Sequence, residues 1–128
     1  MSTPSNPTLV ITRRCDDDLS SSAWFLVKPT GDNDIDLAST GDLCIGALTN
    51  DVAAGSASAP VYVPVQCGGM IKVMCGGTVV VGTLAMSDSS GEAVAATADQ
   101  YAFGIALGGF VDGEIGTFLW APSHMETT

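Results

Sequence analysis

The chain has 128 residues, 46% hydrophobic and only 14% charged, with 14 acids against four bases and a net charge of −10. A domain of this length buries roughly two-thirds of the surface its unfolded form exposes, so it needs neither metal nor disulfide to hold a core. The acidic field repels nucleic acid and anionic membrane surfaces, and no stretch of about 18 apolar residues is present to span a bilayer, so neither is expected as a partner.

Residues 1–8, rich in Pro, Ser and Thr, cannot pack a core and read as the start of an extended arm over residues 1–20. They lack the basic and apolar regions of a signal peptide, so synthesis in a cytoplasm is expected, with Cys15, Cys44, Cys67 and Cys75 as buried, reduced thiols. Thr8 to Thr12 is β-prone and needs a pairing partner, while Arg13-Arg14 followed by Asp16-Asp17-Asp18 marks a polar, exposed point.

A β domain over residues 21–121 follows, opening on the strand Ala23 to Lys28 and a turn-rich loop from Pro29 to Asp34. Asp42 to Leu48 reads as a strand. Val61, Val63 and Val65 share one face of the next, which Pro60 and Pro64 assign to a sheet edge. The triplets Cys67-Gly68-Gly69 and Cys75-Gly76-Gly77 bracket a strand from Met70 to Met74, since paired glycines supply the positive φ angles of tight turns.

Thr78 to Val81 and Thr83 to Met86 are further strands, the second joined through Asp88-Ser89-Ser90-Gly91 to Glu92 to Ala96 as a hairpin. In Tyr101 to Leu107, the residues Tyr101, Phe103, Ile105 and Leu107 fall on a core face. Ala102, Gly104 and Ala106 fall on the other, where their small size permits close approach of a second sheet or subunit. Glu114 to Trp120 is the last strand, before a polar tail over residues 122–128. No window holds a sustained 3.6-residue period, so the expected class is all-β, a small barrel or sandwich of short strands with an extended N-terminal arm.

The candidate chemical sites read as structural. Asp32-Asn33-Asp34-Ile35-Asp36 starts like a calcium loop but has Leu37 and Leu43 where that loop needs Gly and Glu. The cysteines form no C-x-x-C pair for zinc, and His124, the one histidine, has no second group nearby to hold it for acid–base work. Neither glycine pair precedes a helix or the Lys-Ser or Lys-Thr of a phosphate loop. Lys72 has the apolar neighbours of a biotinyl or lipoyl attachment lysine but lies mid-strand, which favours an outward lysine that keeps a strand soluble. No catalytic residue, cofactor or metal is expected, and the chain reads as a structural protein rather than an enzyme.

Taken in order, several segments form a recognisable succession: Gly41 to Leu48, the Asn50 to Gly55 loop, the Val61 to Val65 strand, Gly76 to Thr83, Asp88 to Ala96, Gly104 to Leu107 and Asp112 to Gly116. It resembles the small capsid decoration, or cement, proteins of tailed bacteriophages. The resemblance covers roughly residues 41–120 and rests on the order of strand motifs rather than on one chemical residue. Gly82-Thr83 stands where such proteins commonly carry an acid. The resemblance implies a homotrimer on the outer face of an icosahedral head that bridges major capsid subunits and resists the pressure of packaged DNA. The virion is then its place.

Charged residues make up about a quarter of an average soluble domain, so the sparse charge here independently suggests a surface covered by partners. Leu9, Val10 and Ile11 are the candidates for strand addition to the major capsid protein, with Arg13 and Arg14 for acidic patches of the shell. Ala102, Gly104 and Ala106 are the candidates for subunit packing. A carrier domain modified at Lys72 and another phage structural subunit, of tail or fibre, are the alternatives.

Overall fold

A computed structural model describes residues 9–31, 34–49 and 52–125. Among them there is no helix, and the chain is all-β, as its pattern predicts. Ten strands alternate with turns: β1 (Leu9–Cys15), β2 (Leu26–Gly31), β3 (Asp34–Leu37), β4 (Gly46–Leu48), β5 (Val61–Gly68), β6 (Met70–Met74), β7 (Leu84–Ser87), β8 (Ala93–Ala95), β9 (Tyr101–Ala106) and β10 (Ile115–His124). The first five close into a barrel in the order β1-β3-β2-β4-β5, and the rest form an open sheet in the order β6-β10-β9-β7-β8.

Two apolar clusters fill the molecule. Cys15, Leu19, Val27, Ile35, Leu48, Val63 and Val65 fill the barrel. The second cluster joins Ile71, Val73, Ala85, Ala93, Phe103, Ala106 and Phe118 of the open sheet to Leu26, Ala38, Cys44 and Ala47 of the barrel region. Because strand side chains alternate, β2 sends Leu26 to one cluster and Val27 to the other, and β4 divides Ala47 and Leu48 in the same way. The start of β2 and the whole of β4 are therefore a wall buried on both faces. Phe103 packs edge-on against Phe118 at 5.1 Å between ring centroids, a preferred aromatic geometry.

Main-chain and amide hydrogen bonds tie the layers together. Trp24 donates its N–H to the Leu48 carbonyl at 3.1 Å and accepts that of Met74 at 2.9 Å. It does so at φ 72°, a left-handed conformation costly for a residue with a β-carbon. Gln66, on the outward face of β5, is 5% exposed. Its amide nitrogen donates to the carbonyls of Leu48 (3.1 Å) and Lys72 (3.2 Å), and its amide oxygen accepts the Lys72 N–H at 2.9 Å.

Several boundaries differ from the sequence reading. Residues 9–19 are not an extended arm. β1 pairs antiparallel with β5 from Leu9↔Gly68 to Cys15↔Val61, and Cys15 and Leu19 anchor the barrel core. The rest of the expected arm, residues 1–8, lies outside the described residues. β5 is not an edge strand either, since β1 flanks one side and β4 meets Val65 and Gln66 on the other. Pro64 is accommodated because its carbonyl takes the Thr49 N–H on the β4 side. Its missing donor points the same way, beyond the last residue of β4.

The expected strand from Asp42 shrinks to Gly46–Leu48, because Asp42 closes a turn to Ser39 and accepts the Lys28 ammonium at 2.9 Å. The expected strand at Thr78 to Val81 is a single bridge, Val79↔Phe110, followed by a turn. The expected tail starts late, for β10 runs through a register shift after Trp120 to His124, paired with Tyr101.

Two substitutions test this account. A β-carbon at Gly104 would lie 2.3 Å from the Leu119 carbonyl oxygen, so Gly104→Ala is expected to cost about 1–3 kcal/mol of unfolding free energy in a denaturant titration. Gln66→Leu leaves the N–H and carbonyl of Lys72 without the carboxamide, while the Leu48 carbonyl keeps the Trp24 N–H, and is expected to cost a similar amount, about 1–3 kcal/mol.

Candidate interaction surfaces

The chemistry-bearing side chains are dispersed. Among the described residues no group of three His, Cys, Asp or Glu is placed to hold a metal ion, and no buried side-chain nitrogen or oxygen lacks a hydrogen-bond partner. His124 stacks edge-on against Tyr101 at 4.8 Å on the surface of the open sheet. Asp34 of the expected acidic loop pairs with Arg14, and Asp36 accepts the Leu37 N–H, while Asp32 and Asn33 lie outside the described residues. Lys72 is exposed in the middle of β6, opposite Thr117, with no turn beneath it.

Burial pushes the Cys44 thiol up to about 12 and that of Cys75 to about 11, and raises that of Cys15 as well, so all three are held as unreactive thiols. Cys67 is half-buried.

The strand-addition candidates sit together at the start of β1. Leu9 and Val10 are exposed, at 60% and 48%, and Ile11 leans on the barrel core. β1 meets β3 only at Arg14↔Asp34, so Leu9 to Thr12 have β5 on one side and no strand on the other among the described residues. Arg14 forms an ion pair with Asp34 inside the chain, which takes it out of the set reaching for a shell. Arg13 neighbours it on the opposite strand face.

The subunit-packing candidates are not on a surface. Ala102 and Ala106 are each 1% exposed and Gly104 is buried, whereas Tyr101 and Leu107 of the supposed core face are exposed. The physical reason is close approach within the chain: Ala106 belongs to the interlayer cluster, and Gly104 meets the Leu119 carbonyl of β10, its neighbour in the same sheet.

Two features escape a reading by periodicity. A cavity of about 270 Å³ opens between the layers, lined from β1 by Val10, from the β1–β2 link by Trp24, and by Thr49, Gln66, Met70, Ile71, Lys72 and Thr117. Its residues come from six separate segments, so no local motif announces it. At the far end of β6, Val80, Val81, Val111 and Ile115 are exposed on adjoining turns and a strand start. A turn that holds valines instead of polar residues is the sequence signal that could have found it.

The fold thus defines a barrel-plus-sheet β module. No protein-family model matches the chain, and none of the curated proteins matches it. Among solved structures it is similar to the N base of head fiber gp8.5 in bacteriophage phi29, with a TM-score of 0.70 and 21% sequence identity, covering 94% of this chain and 99% of that one. At that identity the likeness establishes the shared fold.

Thiol accessibility checks the burial pattern. An aromatic disulfide reagent at pH 8 is expected to titrate one cysteine per chain quickly in the native protein, Cys67, and all four only in denaturant. Fast reaction of Cys44 or Cys75 would contradict the closed interlayer core.

Proposed function

We propose that this chain is a structural protein of a phage virion that sits, as a homotrimer, on the outside of an icosahedral head and stabilises contacts between major capsid subunits. The observation that carries this reading is the whole-length likeness to a phage head fiber base, which spans 94% of the chain rather than one motif. The order of strand motifs, which resembles capsid decoration proteins, supports it from the sequence. A net charge of −10 suits a place outside the shell, away from packaged DNA.

In this reading the start of β1 is a capsid contact. Leu9 and Val10 offer exposed apolar side chains beside an edge that no strand covers among the described residues, to which a capsid strand adds through main-chain hydrogen bonds. A second reading, the base of a head or tail fibre, is favoured by the same neighbour, itself part of a head fiber. A carrier role at Lys72 has less support, because that lysine lies inside a paired strand.

The test uses purified protein and heads assembled without it. Light scattering is expected to give a native mass about three times that of the chain, and sedimentation to show saturable binding to expanded heads. Decorated heads are expected to keep their DNA on heating that empties bare ones. Leu9→Asp with Val10→Asp is the informative variant, since deleting residues 1–14 would remove a barrel strand; unchanged binding by this pair would remove β1 from the contact. Absence of binding by the unaltered protein would sink the decoration reading.

A further inference from the structure

A protein that holds two capsid subunits together needs two separate contacts, and β1 supplies one. We infer that the opposite end of β6, capped by the turns Val80–Thr83 and Val111–Glu114, is the second docking face, and that it fits a protein surface apolar at its centre and rimmed by Lys and Arg. This rests on the decoration reading, with that surface belonging to a neighbouring capsid subunit. Leu9 pairs with Gly68, just before β6, whereas Met74 at the strand's other end pairs with Ile115 of the tip. Four residue steps along β6 separate the two regions by roughly 14 Å.

The tip is built, not frayed. Val79 and Phe110 exchange both main-chain hydrogen bonds at 2.9 Å, which locks the two loops side by side. Each turn is closed internally: the Thr83 N–H and hydroxyl both bond to the Val80 carbonyl, and the Glu114 carboxylate accepts the Val111 N–H at 2.8 Å. Gly82 and Gly113 take φ 81° and 89°, and a β-carbon at either would meet nothing within 4 Å, so these glycines serve the turn conformation and stand in open space.

On this rigid frame the residues facing out are the wrong ones for solubility. Val80, Val81 and Val111 are 60%, 59% and 53% exposed, with Leu107 and Ile115 exposed beside them. The chain places polar residues in turns elsewhere: Asp88-Ser89-Ser90-Gly91 is held by the Asp88 carboxylate bonding to the N–H groups of Ser90 and Glu92. β-Branched valines more than half exposed in an open turn break that local rule, which is the mark of a site kept for a partner.

Charge decides which partner. All four Lys and Arg lie at or before Lys72, while Asp88, Glu92, Asp99, Asp112, Glu114 and Glu126 follow it. Asp112 and Glu114 are exposed on the tip itself. Two copies meeting tip to tip would bring like charges together, whereas a surface rimmed with bases complements them.

The experiment measures binding to heads assembled without this protein, at low and high salt, for three proteins of verified native mass and thermal stability. The unaltered protein is expected to bind. Val80→Ser with Val81→Ser and Val111→Ser is expected to weaken binding at least tenfold, through lost apolar contact. Asp112→Lys is expected to weaken it several-fold at 50 mM salt, with the deficit shrinking at 0.5 M as the charges are screened. Undiminished binding by the serine variant would overturn the inference and leave the decoration reading standing. Loss of the trimer by that variant, with binding otherwise retained, would assign the tip to contacts between copies and overturn it equally. Failure of the unaltered protein to bind would overturn both.

Discussion

The architecture depends on a wall that has no outside. β2 and β4 carry Leu26 and Ala47 into the interlayer cluster and Val27 and Leu48 into the barrel, so where the start of β2 runs beside β4 every side chain is removed from water. Such a wall tolerates no polar residue on either face and little bulk on the side where a second sheet must close. Ala38, Ala47, Ala85, Ala93 and Ala106 supply that closeness. With about 25 cal/mol gained per Å² of apolar surface buried, several short strands sharing one wall reach two cores from a chain of modest length. Neither layer has a reason to persist without the other.

This explains what was legible in the sequence and what was not. The hairpin around Asp88 to Gly91 and the strand between the Cys-Gly-Gly triplets were readable because turn chemistry is local: an Asp side chain caps its own turn, and Gly69 takes a positive φ at 69°. The all-β class followed from the same signals. Alternation failed where burial is two-sided. In β9 the small size of Ala102, Gly104 and Ala106 leaves open whether a second sheet or a subunit approaches them, and the close approach is made within the chain, with Ala106 in the interlayer cluster and Gly104 against the Leu119 carbonyl of the neighbouring strand. β1 is hard to see in the sequence because Arg13 and Arg14 and the three aspartates just after it read as an exposed polar stretch, while the anchoring is done by Cys15 and Leu19 and the charge on Arg14 is met by Asp34, remote in sequence. The cavity beside Trp24 draws on six segments and had no signature to find.

Function and composition meet in the distribution of charge. Bases are confined to the part of the chain up to Lys72, and Arg14 and Lys28 there are already engaged with Asp34 and Asp42. The open sheet is left acidic and apolar at its tip. The fold is shared along its whole length with a phage head fiber base.

Gln66 has a consequence beyond joining the two layers. Its amide satisfies both the N–H and the carbonyl of Lys72, which is what one residue of a neighbouring strand would do. A single side chain thus impersonates a strand at the border of the open sheet and occupies the main-chain groups that would template growth there. An edge whose N–H and carbonyl are already taken is a poor template for another strand, so one carboxamide guards the middle of β6 against sheet extension.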